Sequence, residues 1–423
     1  MVTESRFAGF AATRAPMKLL YLTNTRLPGE KAHAIQILQT CAALAAHADV
    51  CIVHARRSNR PWLRRINDLQ AFYGLPRDVP REVIPSVDLF RLVPYMRFGK
   101  SVAYRIVFLI QMLTYHLALI PMLISRDADI YYTRDSVTAV LLLLMGKGGS
   151  GRVFFESHSF PSSWIGLMLQ RWLLPRLDGL TVLNELLSQS YTDLLNVPLR
   201  VEVVSDAADI GAFGKCSKDE ARRDLGISKT GFLVMYVGQM YKWKGVETLL
   251  ESAAFLSDDV RIWLVGGTPE ELPRIERILQ KTGTRAVNLV GYIPPTRIAT
   301  YLAAADVLAL PNSGEAAVSR YYTSPLKLFE YMAAERPIVA SDLPALREIV
   351  AHEENALLVP PDDACALAAA VERLRSDVVL ARRLAVNARR IVASYTWEHR
   401  AMRLLDFFRQ VESSSNSSWR TQK

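Results

Sequence analysis

Residues 232–245 read Phe232-Leu-Val-Met-Tyr-Val-Gly238-Gln-Met-Tyr-Lys-Trp-Lys244-Gly245, an unbroken apolar run that ends on a glycine and continues into a lysine-rich turn. An apolar run without alternation is what a parallel strand covered on both faces requires. A glycine at its carboxyl end lets a ligand approach the backbone, and a lysine just beyond can neutralise a diphosphate. Lys244-Gly245 lies where the amphipathic stretch Gly245 to Leu256 begins, so the unit reads strand, glycine, cationic turn, helix. A strand-to-helix turn with solvated lysines is the plainer reading of the same residues.

The rhythm repeats on both sides of this unit. Val260 to Val265, Val287 to Val290, Val307 to Leu310 and Pro337 to Ala340 are short, β-rich and bounded by Gly or Pro, with Pro269 to Lys281 a further amphipathic stretch. Upstream, Lys18 to Thr23, Asp49 to His54, Ile130 to Thr133, Val153 to Glu156, Gly179 to Val182 and Val201 to Val204 have the same character. The spacing predicts an α/β chain with two Rossmann-like, doubly wound domains. Their boundary falls in the polar segment Asp206 to Lys218, which gives a first domain over 17–205 and a second over 206–390. Residues 1–16 read as a leader and 412–423, serine-rich and polar, as a disordered tail.

The chain has 423 residues, 50% hydrophobic and 22% charged, a composition that fills large cores and excludes a disordered chain, a fibre or a disulfide-stapled miniprotein. The net charge of +9 is local. Up to Ser205 there are 23 basic and 15 acidic side chains, whereas the remainder is nearly balanced. Such a local excess points to an anionic partner of the first domain. Cys41, Cys51, Cys216 and Cys365 stand far apart with no CxxC pair, which argues against a zinc site or a disulfide framework and for a reducing compartment. No basic stretch followed by a long apolar core opens the chain, as a signal peptide would need.

Between Ile106 and Ile124 runs a nineteen-residue apolar stretch, interrupted by Gln111, Thr114, His116 and Pro121. Its length approaches that of a membrane span, but the interruptions favour a buried helix or one lying in the membrane interface. The preceding segment, Arg56 to Arg105, carries eleven basic and four acidic residues beside Trp62, Phe72 and Phe90. That mixture suits an anionic membrane surface. The basic residues show no regular interleaving with stacking aromatics, so no nucleic-acid role is expected.

The richest chemistry lies in Tyr322 to Asp342. Ser324-Pro325 reads as a helix start, with Ser324 as the cap and Pro325 in the first turn. Free amides there, together with the helix dipole, make an anion site, and Lys327 and Glu330 fall on one helix face. A capped helix with a surface ion pair is the plainer reading.

Taken in order, FLVMYVGQMYKWKGVETLLESA (232–253), LVGG (264–267), VNLVGYIPPTRIATYLAAADVLALPNS (287–313) and SPLKLFEYMAAERPIVASDLPALREIV (324–350) resemble the C-terminal domain of retaining GT-B glycosyltransferases of family 4, the glycosyl transferases group 1. Residues 19–45 resemble the first βα unit of some members, and 394–408 the closing helix that returns to the first domain, here placed within 391–411. The resemblance implies two domains facing a central cleft and transfer of a sugar from a nucleotide-sugar donor to an acceptor hydroxyl. It implies a glycan as acceptor and no cofactor or metal; the basic, apolar first half adds a lipid-linked acceptor and a cytoplasmic enzyme peripheral on the membrane as expectations. Carried across residue by residue, it gives Lys244 a diphosphate contact and Glu330 the ribose hydroxyls. Ser324, Pro325, Leu326 and Lys327 meet the phosphates or donor sugar, and Gly29 and Gly238 line the cleft. His158, closing the strand-end sequence Phe155-Glu156-Ser157-His158, is the catalytic candidate together with Glu330.

Two departures stand out. Many members carry a glutamate eight residues before the one matching Glu330, where this chain has Tyr322; Glu315 lies seven residues too early to replace it. The usual basic residue after the glycine matching Gly238 is Gln239. A nucleotide-sugar epimerase on the same fold and a non-catalytic nucleotide-sugar-binding protein are therefore the rival readings.

Overall fold

In the computed structural model, which describes residues 16–90, 100–195, 197–282 and 286–414, two parallel sheets form one after the other along the chain. The first contains Lys18–Thr23 (β1), Asp49–Ala55 (β2), Arg81–Ile84 (β3), Ile130–Thr133 (β4), Arg152–Ser157 (β5), Gly179–Val182 (β6) and Val201–Val203 (β7). Its strand order is β3-β2-β1-β4-β5-β6-β7. The second contains Phe232–Val237 (β8), Val260–Val265 (β9), Val287–Gly291 (β10), Val307–Leu310 (β11), Ile338–Ser341 (β12) and Leu357–Val359 (β13), ordered β10-β9-β8-β11-β12-β13. The order reverses between β1 and β4 in one sheet and between β8 and β11 in the other. In open α/β sheets a ligand crevice opens outside the carboxyl ends of the strands at such a switch point.

The apolar runs predicted as strands are buried as expected of sheets covered on both faces: Tyr21, Leu22, Ile130, Tyr132, Val234, Tyr236 and Leu308 are all inaccessible. The sequence missed two edge strands. β3 reads Arg-Glu-Val-Ile, with charged residues on an open edge, and β13 is three residues long.

The C-terminal helix begins at Trp397, after the helix Val378–Val392 and a short turn. It buries Trp397, Ala401, Leu404, Leu405, Phe408 and Val411 in the core beneath the first sheet, against Ala34, Ile37, Leu38 and Phe154. Phe154 and Phe408 lie 4.4 Å apart, ring to ring. This helix runs on to Ser414, so residues 412–414 extend it rather than begin a disordered tail. The rest of that tail, and all but the last residue of the expected leader, lie outside the described residues.

The apolar stretch forms the helix Lys100–Ser125. Its polar interruptions face the protein. Gln111 exchanges hydrogen bonds with Asn24, Thr114 accepts from the Val87 amide, and His116 contacts Thr138. Tyr115, Leu119 and Leu123 pack on the first sheet. Leu109, Leu113, Leu117 and Ile124 are exposed instead, at 55%, 60%, 57% and 70%. Val102–Ser125 is long and apolar enough to cross a membrane by length and composition. Its inward face nevertheless belongs to the core of the first domain.

Candidate active site

A cavity of about 340 Å³ lies between the two switch points and draws its walls from both domains. Gly29, His33, Arg134 and His158 face it from the first domain; Gly238, Lys244, Ser324, Leu326, Lys327 and Glu330 face it from the second. Every candidate named from the sequence thus lines one cavity, although Glu330 and His158 stand 172 positions apart in the chain.

The second-domain wall follows from the unit at 232–245. β8 ends at Val237, and Gly238 brings the backbone so close to the neighbouring helix that a Cβ there would lie 2.9 Å from Lys327 Nζ. Lys242–Lys244 forms one 3₁₀ turn, and Gly245 starts the helix Val246–Ser252. Lys244 is buried, its ammonium 3.7 Å from the centre of the Trp243 ring. Burial pulls its pKa down to about 7, with Asp206 acting in the opposite direction.

The helix beyond Pro325 spans Leu326–Ala333, and Pro325, not Ser324, is its cap. Ser324 Oγ instead accepts from the Asp206 amide at 3.2 Å, which takes it away from the capping role. Lys327 and Glu330 share a helix face, as their spacing implies, but form no surface ion pair. Lys327 is buried and donates to Tyr236 OH at 2.6 Å. Burial and the nearby Lys244 press its pKa well below the lysine range, while Glu330 resists. Burial pushes the Glu330 carboxyl up to about 7 against the pull of Lys327. This carboxylate has no hydrogen-bond partner among the described residues, which leaves both oxygens for a ligand.

Across the cavity, His158 Nε2 lies 2.9 Å from Glu156 Oε1. Burial, with Arg134 beside it, pulls the imidazole pKa to about 4 against the attraction of Glu156. The ring is therefore neutral at pH 7. With Nε2–H donated to the carboxylate, Nδ1 carries the free lone pair. Glu156 is fully buried and also accepts from Gln36 at 2.8 Å and from Arg400 Nη2 of the C-terminal helix. Burial would raise this carboxyl, but Arg400 and His158 hold it well below the ordinary carboxylate range. Arg400 further donates to the carbonyls of Val204 and Ser205, at 2.6 and 2.7 Å, where the chain leaves the first sheet for the second.

Three residues here escaped the sequence reading. Asp206 lines the cavity with Oδ1 buried and unpartnered, and burial raises its pKa to about 7 despite Arg400. In the sequence it opens the polar boundary segment Asp206 to Lys218. Arg134 follows β4 and donates to Gln36 at 3.0 Å, and Arg400 sits on a helix far downstream. No local motif marks any of the three; only the strand order brings them together. Tyr322 lines the cavity at the end of a π-helical turn, Val318–Tyr322, its ring centre 5.9 Å from that of Phe160. Glu315 lies on the exposed side, paired with Lys242 at 3.2 Å, and does not replace the glutamate expected at 322. Gln239 bridges the domains by donating to the Glu30 carbonyl at 3.0 Å. Among the described residues no cluster of three or more His, Cys, Asp or Glu has the arrangement of a metal site.

One prediction rests on Lys244. A bound diphosphate raises the pKa of a lysine beside it. Affinity is then greatest below the free-state value near 7 and falls as pH rises above it. Calorimetry of UDP binding at pH 8, in buffers of different ionisation enthalpy, should report net proton uptake. Uptake should fall in Lys244→Met; equal uptake in both proteins would remove Lys244 from the diphosphate site.

Two parallel sheets with a ligand cavity at facing switch points define a class of fold, and solved structures share it. Sucrose-phosphate synthase from Thermosynechococcus elongatus superposes with a TM-score of 0.69 at 21% identity, over 94% of this chain and 99% of that one. HepE of Anabaena, in complex with UDP-glucose, gives 0.67 at 17% identity, over 95% and 100%. The fold is GT-B. Residues 231–377 match the sequence model of glycosyl transferases group 1. A D-inositol 3-phosphate glycosyltransferase of Corynebacterium urealyticum is 31% identical over 225 residues, 50% of this chain and 51% of the relative. Its counterpart in Rhodococcus erythropolis is 28% identical over 235 residues, 52% and 50%. The chain spans about half the length of these curated relatives.

Proposed function

We propose that the protein is a retaining glycosyltransferase that moves a sugar from a nucleotide-sugar to the hydroxyl of a glycan or lipid-linked glycan. One observation carries this reading. A half-buried carboxylate with no hydrogen-bond partner among the described residues, Glu330, sits on the same helix as Lys327 and lines one cavity with Lys244, a cavity closed on its other side by a neutral histidine. Glu330 suits a pair of ribose hydroxyls. Lys244, Lys327 and the free amides at the start of Leu326–Ala333 suit the diphosphate, supplying positive charge that a divalent ion would supply elsewhere. The anomeric carbon then falls near His158 and Asp206. In the net reaction its bond to the diphosphate oxygen breaks, the acceptor oxygen bonds to it from the same face, and the acceptor proton leaves with the nucleoside diphosphate. HepE binds UDP-glucose, which supports a nucleotide-sugar as donor. The exposed apolar face of Lys100–Ser125 beside the basic first domain supports work at the cytoplasmic face of a membrane, in cell-surface polysaccharide or lipopolysaccharide synthesis.

A thermal-shift panel of UDP-, GDP-, ADP- and dTDP-sugars identifies the donor, since the true ligand raises the melting temperature. With that donor, Glu330→Gln should lose about 1.5–3 kcal/mol of binding, the cost of a charge-assisted hydrogen bond, with melting of the free protein little changed. Undiminished donor affinity in calorimetry would remove Glu330 from the ribose site.

A further inference from the structure

Asp206 is 6% exposed, lines the donor cavity and has no hydrogen-bond partner for Oδ1 among the described residues. A carboxylate oxygen taken out of water without a new partner costs the unliganded protein stability. In an open cavity, such an atom marks a position for a hydrogen-bond donor that arrives with the ligand. Its backbone is pinned. The Asp206 amide donates to Ser324 Oγ at 3.2 Å, and the carbonyls of Val204 and Ser205 accept from Arg400 at 2.6 and 2.7 Å. The Ala208 amide donates to the Tyr395 carbonyl at 3.0 Å, just before the C-terminal helix returns to the first domain. A side chain on a backbone held this firmly keeps its direction, as a binding group must.

The charged groups of the cavity couple in a definite order. Burial is the largest influence on each of them. Beyond it, Lys327 acts on Glu330, Lys244 is the foremost charge acting on Lys327, and Asp206 acts on Lys244. On Asp206 itself the foremost charges are Arg400 of the C-terminal helix and then Glu156 and Arg134 of the first domain. Coupling weakens with distance, so the row runs carboxylate, two ammonium groups, carboxylate. A nucleotide-sugar has the matching order of ribose hydroxyls, diphosphate and sugar hydroxyls. With Glu330 at the ribose and the lysines at the diphosphate, Asp206 falls at the transferred sugar. An ionised carboxyl repels the diphosphate and only accepts hydrogen bonds, so a hydroxyl is what it can hold.

We propose that Asp206 accepts a hydrogen bond from a hydroxyl of the transferred sugar and so selects donors that carry a hydroxyl at that position. The proposal rests on the glycosyltransferase reading, and one pair of ligands separates the two. UDP-glucose, GDP-mannose, ADP-glucose and dTDP-glucose are screened for the largest rise in melting temperature. That nucleotide-sugar and its nucleoside diphosphate are then titrated by calorimetry into the full chain and into Asp206→Asn. At pH 8 the Asp206 carboxyl, with a pKa of about 7, is ionised.

The ratio of the two affinities is the readout, because any change at Lys244, on which Asp206 also acts, enters both and cancels. It should fall about ten-fold in the variant, the difference between a hydrogen bond to a charged group and one to a neutral group. Against the wild type, one monodeoxyfluoro analogue of the sugar should lose a similar factor; against Asp206→Asn the same analogue should lose none. The analogue measurement on the wild type needs no variant. Unliganded Asp206→Asn should melt no lower than the wild type, since it removes a buried charge that lacks a partner, whereas replacing a purely structural aspartate would lower the melting temperature. An unchanged ratio in the variant, or a full set of deoxyfluoro analogues none of which loses affinity, would overturn the role of Asp206, while intact diphosphate binding would leave the glycosyltransferase reading in place. A wild type that binds none of the nucleotide-sugars or their diphosphates would overturn both.

Discussion

Replacing Arg400 by methionine should cost about 3–5 kcal/mol of folding stability, because it strands Glu156 as a buried charge without its main partner. Both side chains are 1% exposed, and the guanidinium also serves Thr40 Oγ1 and the carbonyls of Val204 and Ser205. The pH dependence gives the cause away. In the wild type the folded-state pKa of Glu156 is depressed, so its contribution is present above the unfolded value near 4.3 and is lost as pH falls through the folded value. Without Arg400, burial dominates and raises that pKa. The deficit should then be largest at pH 7–8 and shrink toward acid, the reverse of the wild-type trend. Urea denaturation at pH 5 and pH 8 reads this directly. The double variant Arg400→Met/Glu156→Gln should recover part of the loss, since the stranded charge is gone. Strict additivity of the two substitutions would show that the pair is not coupled. The same variant should misplace His158, which takes its orientation from Glu156, so the catalytic rate should fall even where the chain remains folded.

How far the molecule could be read from its sequence follows from which interactions are local. Long apolar runs bounded by glycine or proline gave the central strands of both sheets, because a strand covered on both faces leaves no freedom of composition. β3 and β13 escaped because an edge strand needs neither length nor apolar residues. The helix at 100–125 could be located but not oriented. Composition treats Gln111 and Leu113 as a break and a continuation of one apolar run, whereas the structure turns the glutamine inward onto Asn24 and the leucine outward. The second-domain wall of the site was legible since Gly238, Lys244, Ser324 and Glu330 lie in two short segments with recognisable strand-to-helix turns. Asp206, Arg134 and Arg400 were not, because what makes them part of the site is a charge buried by distant residues. Ser324 marks the boundary between the two cases. Its place beside a helix start was readable, but its hydroxyl is taken by an amide more than a hundred positions upstream.

Gly245→Ala should be the most damaging single-methyl change in the donor wall. Gly245 has φ +65°, and a Cβ built there would lie 1.7 Å from the carbonyl oxygen of Pro311, far inside contact distance. The oxygen is backbone, and it cannot retreat cheaply. Pro311 directly follows β11, and the Ser313 amide two residues on is held by the Trp243 carbonyl at 3.0 Å. Either the turn Lys242–Lys244 or the loop after β11 must therefore move, and both lie at the switch point of the second sheet. The left-handed conformation alone costs a residue with a side chain about 1–2 kcal/mol, and overpacking adds about 1–3 kcal/mol. Gly226 separates the two contributions. It has φ +67° with nothing within 4 Å of the added Cβ, so Gly226→Ala carries the conformational cost without the collision. Chemical denaturation should place Gly245→Ala below Gly226→Ala by at least the overpacking contribution. Calorimetry should show nucleoside diphosphate binding weakened in Gly245→Ala and intact in Gly226→Ala, because only the first displaces Lys244. Equal destabilisation in the two variants, with diphosphate binding preserved in both, would mean that the turn yields freely and that Lys244 is not held in place by the contact between Gly245 and Pro311.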